Sequence, residues 1–532
     1  MEIREKYKSN LMNSLNKEED TNKTPQERWN EIQAIIKKAG MESAGTTERT
    51  QHPNREPDRE ITEMSNKQKD LRLQIQNTTD EAKRQQLKRE RNNLQHRISN
   101  RALTVRNQEI DKQVEEIEKN ADDATLMYRA VKTLNRKKFE NPKVQDENGL
   151  LATTPNEILE ITTKFFQSKF QDEQTQDIEP FEGPPRRLQN EITVKEIEDS
   201  FKMLNNNRAA GGDEIAGELL KYGSKELSPE VADIFNQVFE THQPLEINDG
   251  QMITLQKPGK PRGPAKNLRP VTLLDTIRKS LSLTVLQRIR PKVEKYLSHN
   301  QSGFRPCRST ADVVWTHKWL AAKIQKEKLE LKLTGIDMSA AFDTVDRRKL
   351  LKILKSIVNE DELRMIRFLI SNTNINIKVN GATEKHPFRS NIGIPQGDGL
   401  SPVLFIIYLE AALREARQKL IGQHNLDHNY AKPATKRLPD EIAYADDVDF
   451  ISIKDHVDIK EIQAILAQYN LQVNEEKTEY TNLVRKNNVI EEEWRTTKKV
   501  GSLLGDKEDI ARRKTLSNVA FNKLYTVWIR KD

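Results

Sequence analysis

Ile442-Ala443-Tyr444-Ala445-Asp446-Asp447-Val448-Asp449-Phe450-Ile451 sets an adjacent pair of aspartates between two short apolar runs. Short apolar runs with alternation are a strand signal, and the pair between them puts two carboxylates side by side at a tight turn. A second run, Leu333-Thr334-Gly335-Ile336-Asp337, also ends in a carboxylate and continues as Met338-Ser339-Ala340-Ala341-Phe342-Asp343. Strands that deliver carboxylates to their ends gather hard oxygen ligands, and like charges so placed repel unless a cation neutralises them. Mg²⁺ suits such a site: it takes one or two carboxylates and fills its shell with water and phosphate oxygens. Two such ions about 3.5–4 Å apart stabilise both the attacking and the leaving oxygens of an in-line phosphoryl displacement. An Asp-Asp pair taken alone is equally an ordinary surface turn, so its company decides.

That company begins with Gly393-Ile394-Pro395-Gln396-Gly397-Asp398-Gly399-Leu400-Ser401-Pro402, a glycine-rich loop opening an apolar helix. Such a loop lets the backbone approach a nucleotide or template strand closely, and it is also a plain helix entry with Ser401 as N-cap and Pro402 at the first helical position. Helices are expected over Pro155–Phe170, Val194–Leu204, Lys349–Ser371 and Pro402–Leu420, with another starting near Asp213. Short strands are expected within 251–276 and at Thr334–Asp337, Ile375–Val379 and Asp447–Ile453. Strands separated by helices of this length indicate an α+β sheet backed by helices.

Upstream the character changes. Residues 1–57 are polar, contain Pro25, Pro53 and Pro57, and read as mostly disordered with a short helix over Pro25–Lys38. Between Asp58 and Asn141 there is neither Gly nor Pro, and a thin apolar seam at helical intervals indicates long, charged, coiled-coil-like helices. Lys83, Arg84, Lys88, Arg89, Arg91, Arg97, Arg101 and Arg106 form a basic stripe interrupted only by Glu90, followed by acidic Glu109, Asp111, Glu115, Glu116 and Glu118. A basic stripe is the electrostatic footprint of polyanion binding; the alternative is a solvated face paired with the acidic block. The 532-residue chain holds 88 Lys+Arg against 81 Asp+Glu, a net charge of +7, and 35% hydrophobic residues. A length of this order suggests several domains. The lone Cys307 excludes intramolecular disulfides and cysteine-rich zinc modules. The start, MEIREKYKSN, has no apolar run of a secretory signal, and the longest apolar stretch, broken by Glu410, is too short to span a bilayer. An intracellular protein, in the nucleus or cytoplasm, is the expectation, with Arg136-Lys137-Lys138 as a weak import signal.

The order of Asp337-x-x-x-Ala341-Phe342-Asp343, Pro395-Gln396-Gly397-Asp398-Gly399-Leu400-Ser401-Pro402 and Tyr444-Ala445-Asp446-Asp447 resembles reverse transcriptases, and within them the non-LTR (LINE-type) retrotransposon group. Further segments match in order: Arg208 to Glu218, with Gly212 where the family usually has Pro; Leu255 to Lys260, then Leu268-Arg269-Pro270-Val271; Gln301 to Pro306 with Ser309-Thr310; Asn474 to Thr478; and Val500 to Gly505. The resemblance covers about Asn205 to Val519.

It implies a right-hand polymerase fold that adds dNTPs to a primer 3′-hydroxyl on an RNA template, with two Mg²⁺ ions. Asp337 and Asp446 would be the metal ligands and Asp447 would complete the acidic pair. Lys257 and Arg269 would hold the triphosphate, Phe342 would lie under the sugar, and Gln396 and Gly397 would lie against the nascent base pair. Lys477 would protonate or neutralise the leaving pyrophosphate, a structural salt bridge being the alternative, while Asp343 would be structural and Asp449 would be structural or support the pair from behind. Nucleic acid would be gripped by Arg84, Arg89, Arg91, Arg97 and Arg305. The implied division is an N-terminal extension over 149–250, fingers over 251–330, a palm with primer-grip segment over 331–507, and a truncated thumb from 508. The competing reading is a polymerase-derived protein that only binds RNA or DNA.

Overall fold

The computed structural model describes residues 2–15, 23–45, 58–119, 122–123, 143–423, 438–484 and 493–522, apart from positions 79, 147, 153, 328–329, 372, 380–381, 385–386, 396 and 454. The chain divides into two compact units, one of Met1–Gly45 with Asn141–Ile510 and one of Thr46–Glu140 with Ala511–Asp532.

The larger unit opens with α1 (Glu2–Leu15) and α2 (Pro25–Ala44), which corrects the expectation of a mostly disordered segment over 1–57. Thr24 and Glu27 form a reciprocal capping box at the start of α2, with Pro25 in the first turn. Trp29, Ile32, Ile36 and Ala39 then make one apolar stripe, and with Tyr7 and Leu11 of α1 they are buried in the main core. Each such side chain stabilises by about 1.5–3 kcal/mol on burial, enough to order a short polar helix that propensity alone would leave frayed. The smaller unit contains α3 (Arg59–Asn77) and α4 (Glu81–Lys119), packed on Met64, Leu71 and Leu94 with Leu87 and Ile98 at the edge of the seam.

The rest of the larger unit carries two main sheets and one small two-stranded sheet. Helices α5 (Pro155–Phe170), α6 (Val194–Met203), α7 (Gly217–Tyr222) and α8 (Ser224–Thr241) precede the antiparallel strands β1 (Gly250–Gln256) and β2 (Leu268–Leu274). Then come α9 (Thr276–Tyr296), α10 (Thr310–Glu327), β3 (Leu331–Ile336), α11 (Arg347–Leu354) and α12 (Glu360–Ile370). The single helix expected over Lys349–Ser371 is therefore two. Asn359 and Glu362 form a capping box that starts α12 afresh just after β-branched Ile357-Val358. Strand β4 (Thr373–Val379) lies parallel to β1 and antiparallel to both β5 (Ala382–Thr383) and β6 (Phe388–Ser390). Phe166 and Phe170 of α5 pack on the first sheet through Met252, Leu268, Ile375 and Ile377.

Helix α13 (Ser401–Gln423) leads to the hairpin of β7 (Glu441–Tyr444) and β8 (Asp447–Ser452), then α14 (Ile459–Ala467) and β9 (Glu479–Leu483). The chain continues through β10 (Lys498–Lys499) and β11 (Ser502–Leu503) into α15 (Asp506–Asn522). The second sheet is antiparallel, ordered β7-β8-β3-β9. It is buried on both faces. Ile336, Ala443, Val448 and Phe450 join the main core with Phe405 and Ile462, while Leu331, Leu333, Ile442, Ile451 and Leu483 pack with Val313, Leu320 and Ile324 of α10. Among the described residues, no helix is long and apolar enough to cross a membrane.

Candidate active site

The Asp446-Asp447 pair sits at the β7–β8 turn, where Tyr444 pairs with Asp447 and Ala445 takes a left-handed conformation at φ 57°. A non-glycine residue there costs free energy unless its surroundings hold it. Gln301 supplies that hold. Its buried side-chain amide accepts from Ala445 N–H at 3.0 Å and donates to Ala445 C=O at 3.2 Å. Gly303 permits the approach, because a Cβ there would lie 2.2 Å from Ala445 N. Sequence reading placed Gln301 in a matched motif and missed its function; no local signal could have found a partner this distant.

Strand β3 pairs with β8 up to Ile336 opposite Val448, so Asp337, one residue on, emerges at the same end of the sheet as Asp447. Asn474 N–H donates to Asp337 C=O, and the following turn brings Lys477 Nζ to 2.5 Å from Asp337 Oδ2. The Asp446 carboxyl is raised above the usual aspartate range by burial and by Asp337's charge. Asp447 is pushed up to about 6, by burial of its carboxyl first and then by Asp446, Asp337 and Asp449. These aspartates repel one another, as the sequence reading expected. Among the described residues no group of three or more His, Cys, Asp or Glu closes into a metal cage. The arrangement is an open one, with Lys477 as the counter-charge.

Asp449 turns away from this cluster. It is 8% exposed, receives Lys499 Nζ at 2.6 Å and lies 3.0 Å from His317 Nε2, tying β8 to β10 and α10. Burial opposes its ionisation, but His317 and Lys499 hold its carboxyl below the usual range. Asp343 is also buried, with Lys169 Nζ of α5 at 2.6 Å from its Oδ2.

A group of cations stands near. Burial and the charges of Lys169, Arg269 and Lys477 lower the Lys257 ammonium pKa, while Asp343 raises it. Lys257 Nζ donates to Lys266 C=O, and Arg269 is exposed on β2. Lys169 was missed in the sequence because nothing in its own helix marks it. The Phe342 ring stacks on Phe405 of α13 at 4.3 Å between centroids, with Phe304 edge-on at 6.0 Å. Gly397 lies against Thr272 of β2, and Gln396 falls outside the described residues.

Two expectations need correction. Arg305 is 8% exposed; Glu294 accepts from its Nε and Nη2, and the Ser298 and Gln301 carbonyls accept from Nη1. Its N–H fork is occupied inside the protein, where it braces the 298–305 loop instead of standing exposed. Helix α13 begins at Ser401 itself, and its first N–H groups are capped by Asp398 Oδ1, which accepts from Leu400 at 2.6 Å and Ser401 at 3.0 Å. In the smaller unit, Arg89 and Arg97 of α4 are exposed, Arg84 lies 3.7 Å from Glu81, and Arg91 donates to Asn92. The Arg136-Lys137-Lys138 cluster lies outside the described residues.

Residues 255–505 match the family model "Reverse transcriptase (RNA-dependent DNA polymerase)". The chain is 25% identical over 329 residues to the transposon TX1 uncharacterized 149 kDa protein of Xenopus laevis, covering 60% of this chain and 24% of that protein. It is 21% identical over 342 residues to the RNA-directed DNA polymerase from mobile element jockey of Drosophila funebris, covering 62% and 37%. The chain thus spans about a quarter to a third of the length of these curated relatives. Among solved structures, it resembles apo telomerase from Candida tropicalis with a TM-score of 0.33 and 16% identity, covering 45% of this chain and 46% of that one. Over residues 255–505 this α+β chain matches the reverse transcriptase family, and the curated proteins it resembles there come from a transposon and a mobile element.

Proposed function

We propose that this chain is an RNA-directed DNA polymerase that adds dNTPs to a primer 3′-hydroxyl on an RNA template. The observation that carries the reading is the opposition of two charge clusters. Carboxylates Asp337, Asp446 and Asp447 crowd one end of a sheet, and Lys169, Lys257, Arg269 and Lys477 crowd the space beside it. A dNTP bound through cations answers both: its triphosphate neutralises the lysines and arginine, and the ions neutralise the aspartates.

Reverse transcriptases use divalent metal ions, and the donor set here suits Mg²⁺, which needs few protein carboxylates and keeps open positions for water and phosphate. Asp337 and Asp446 would hold two such ions, with Asp447 completing the acidic pair, and the chemistry supplied there would be Lewis-acid polarisation of phosphate and charge stabilisation of the attacking and leaving oxygens. Arg269 and Lys257 hold the triphosphate from β2 and the β1–β2 loop. Lys477 leaves Asp337 and neutralises pyrophosphate as the P–O bond to it breaks. Phe342 lies under the sugar, and Gly397 lies against the new base pair. The basic face of α4, with Arg84, Arg89, Arg91 and Arg97, takes the phosphate backbone of template or primer.

The test is primer extension on an RNA template with dNTPs and Mg²⁺, comparing the native chain with Asp446→Asn. Asn keeps the shape and removes the charge, so synthesis should fall by at least about 10³-fold, several kcal/mol of lost transition-state stabilisation. Template-dependent extension by the native chain that survives unchanged in Asp446→Asn would refute the site assignment.

A further inference from the structure

Two arginines that the chemistry above leaves unused are buried on either side of the Gly393–Leu400 loop. Arg278 of α9 is 1% exposed, and its Nη1 donates to Asp398 Oδ2 at 2.6 Å, with Asp398's side chain 2% exposed. The same guanidinium donates through Nε to Asn248 Oδ1 and through Nη2 to Leu369 C=O, and Ser282 Oγ donates to Asp398 Oδ2 at 3.0 Å. Arg347 of α11 is 3% exposed and faces carbonyls and one hydroxyl. Nε donates to Gly393 C=O at 2.7 Å, Nη1 to Ile370 and Ser390 C=O at 2.8 Å each, and Nη2 to Ser390 Oγ at 2.8 Å and Ile392 C=O at 3.3 Å.

Burying a charge costs several kcal/mol even after relaxation, and Arg347 meets that cost through hydrogen bonds to dipoles, with the Asp177 charge helping from outside that hydrogen-bond set. Burial, with Arg278's charge next, lowers its pKa to about 9. A helix could be tied to a loop far more cheaply by apolar packing. What guanidiniums add is direction, because a planar fork fixes several carbonyls at once. One fork holds the loop's entry at residues 390–393 and the other its exit at Asp398. Between them Gly397, at φ 154°, runs so close to β2 that a Cβ would lie 2.1 Å from Thr272 C=O.

We propose that Arg278 and Arg347 are positioning residues that clamp the two ends of the Gly393–Leu400 loop and so set where its backbone meets the incoming nucleotide. The proposal rests on the polymerase reading, and the experiment separates the two. Asp398→Asn keeps the acceptor for the α13 N–H groups while removing Arg278's charge partner. Ser390→Ala removes one acceptor from Arg347 and is mild enough to fold. Hydrogen exchange of residues 393–400 in the nucleotide-free chain should rise in both variants. In Asp398→Asn, which leaves the Arg278 charge buried and unpaired, the rise should exceed what its lower global stability alone gives, and in Ser390→Ala thermal stability should change little. In primer extension, KM for dNTP should rise about tenfold in Asp398→Asn while kcat changes less than about threefold, since a misplaced loop weakens nucleotide placement before chemistry. Arg278→Met should raise KM in the same way, and Arg278→Lys, which keeps a cation, should bring it part of the way back. Unchanged loop exchange, or a fall in kcat at constant KM, overturns the clamp; a native chain without template-directed incorporation overturns the polymerase reading beneath it.

Discussion

Phe342 is gripped between Phe405 and Phe304, so its ring has one orientation rather than several. A ring fixed under a sugar collides with a 2′-hydroxyl and leaves deoxyribose untouched, so discrimination comes from repulsion of the wrong substrate. Phe342→Val should lower the ratio of kcat/KM for dGTP over rGTP by at least about tenfold at little cost in dGTP use. An unchanged ratio in a variant that folds and polymerises would make the ring a core residue only. Asp213 poses a different question. Its carboxyl is pushed up to about 7 by burial, then by Asp275, and its Oδ2 is buried without a partner. The unfolded chain binds that proton with a pKa of about 4. Between about pH 4 and pH 7 the folded chain therefore holds more protons, and stability falls as pH rises through that window. Asp213→Asn keeps the acceptor for Ile215 N–H and should gain on the native chain across the window. The advantage in Tm should level off above pH 7 at about 1–3 °C. A gap that is the same at pH 4 and pH 8 would contradict this.

Among elements, α4 decides between a nucleic-acid surface and a self-paired face. Its acidic block follows on the same helix: Asp111 stands fourteen residues beyond Arg97, about 21 Å along the axis at ~1.5 Å per residue. Side chains do not bridge that distance. The ion pairs between α4 and the segment before it are instead Arg101 with Asp58 and Glu60, and Lys67 with Glu90. Replacing Arg84, Arg89, Arg91 and Arg97 by Gln should weaken RNA binding and flatten its salt dependence. Every phosphate that an arginine no longer neutralises takes roughly 0.7–0.9 off the slope of log affinity against log salt. The slope of the quadruple variant, measured by fluorescence anisotropy, settles it: no change means that these arginines touch no phosphate.

On the scale of the larger unit, the N-terminal helices belong to the same core as the sheet that carries the aspartates. Ile36 is 0% exposed and sits in one apolar cluster with Phe235, Phe239 and Phe405. Ile36→Ala should cost about 2–5 kcal/mol, the range for emptying a buried aliphatic site. The loss should appear in the unfolding transition that also reports the core behind the aspartate-bearing sheet. A native-like transition in that variant would mean that α1 and α2 are accessory to the core.

The aspartate strands, the hairpin turn and the helix after the glycine-rich loop were legible in the sequence because their signals are local: apolar alternation, a tight turn, a proline at a helix entry. The acidic site was legible because carboxylates at strand ends carry their chemistry wherever the strands pair. What only the tertiary structure decided was which charges face water. Arg269 and Arg305 read alike in the sequence, yet one is exposed on a strand and the other is enclosed by Glu294 and two carbonyls. Likewise Gln301 finds Ala445 at a separation of 144 residues, and Arg278 finds Asp398 at 120. A side chain's charge is written in its own residue, whereas its solvation depends on which distant segments fold over it.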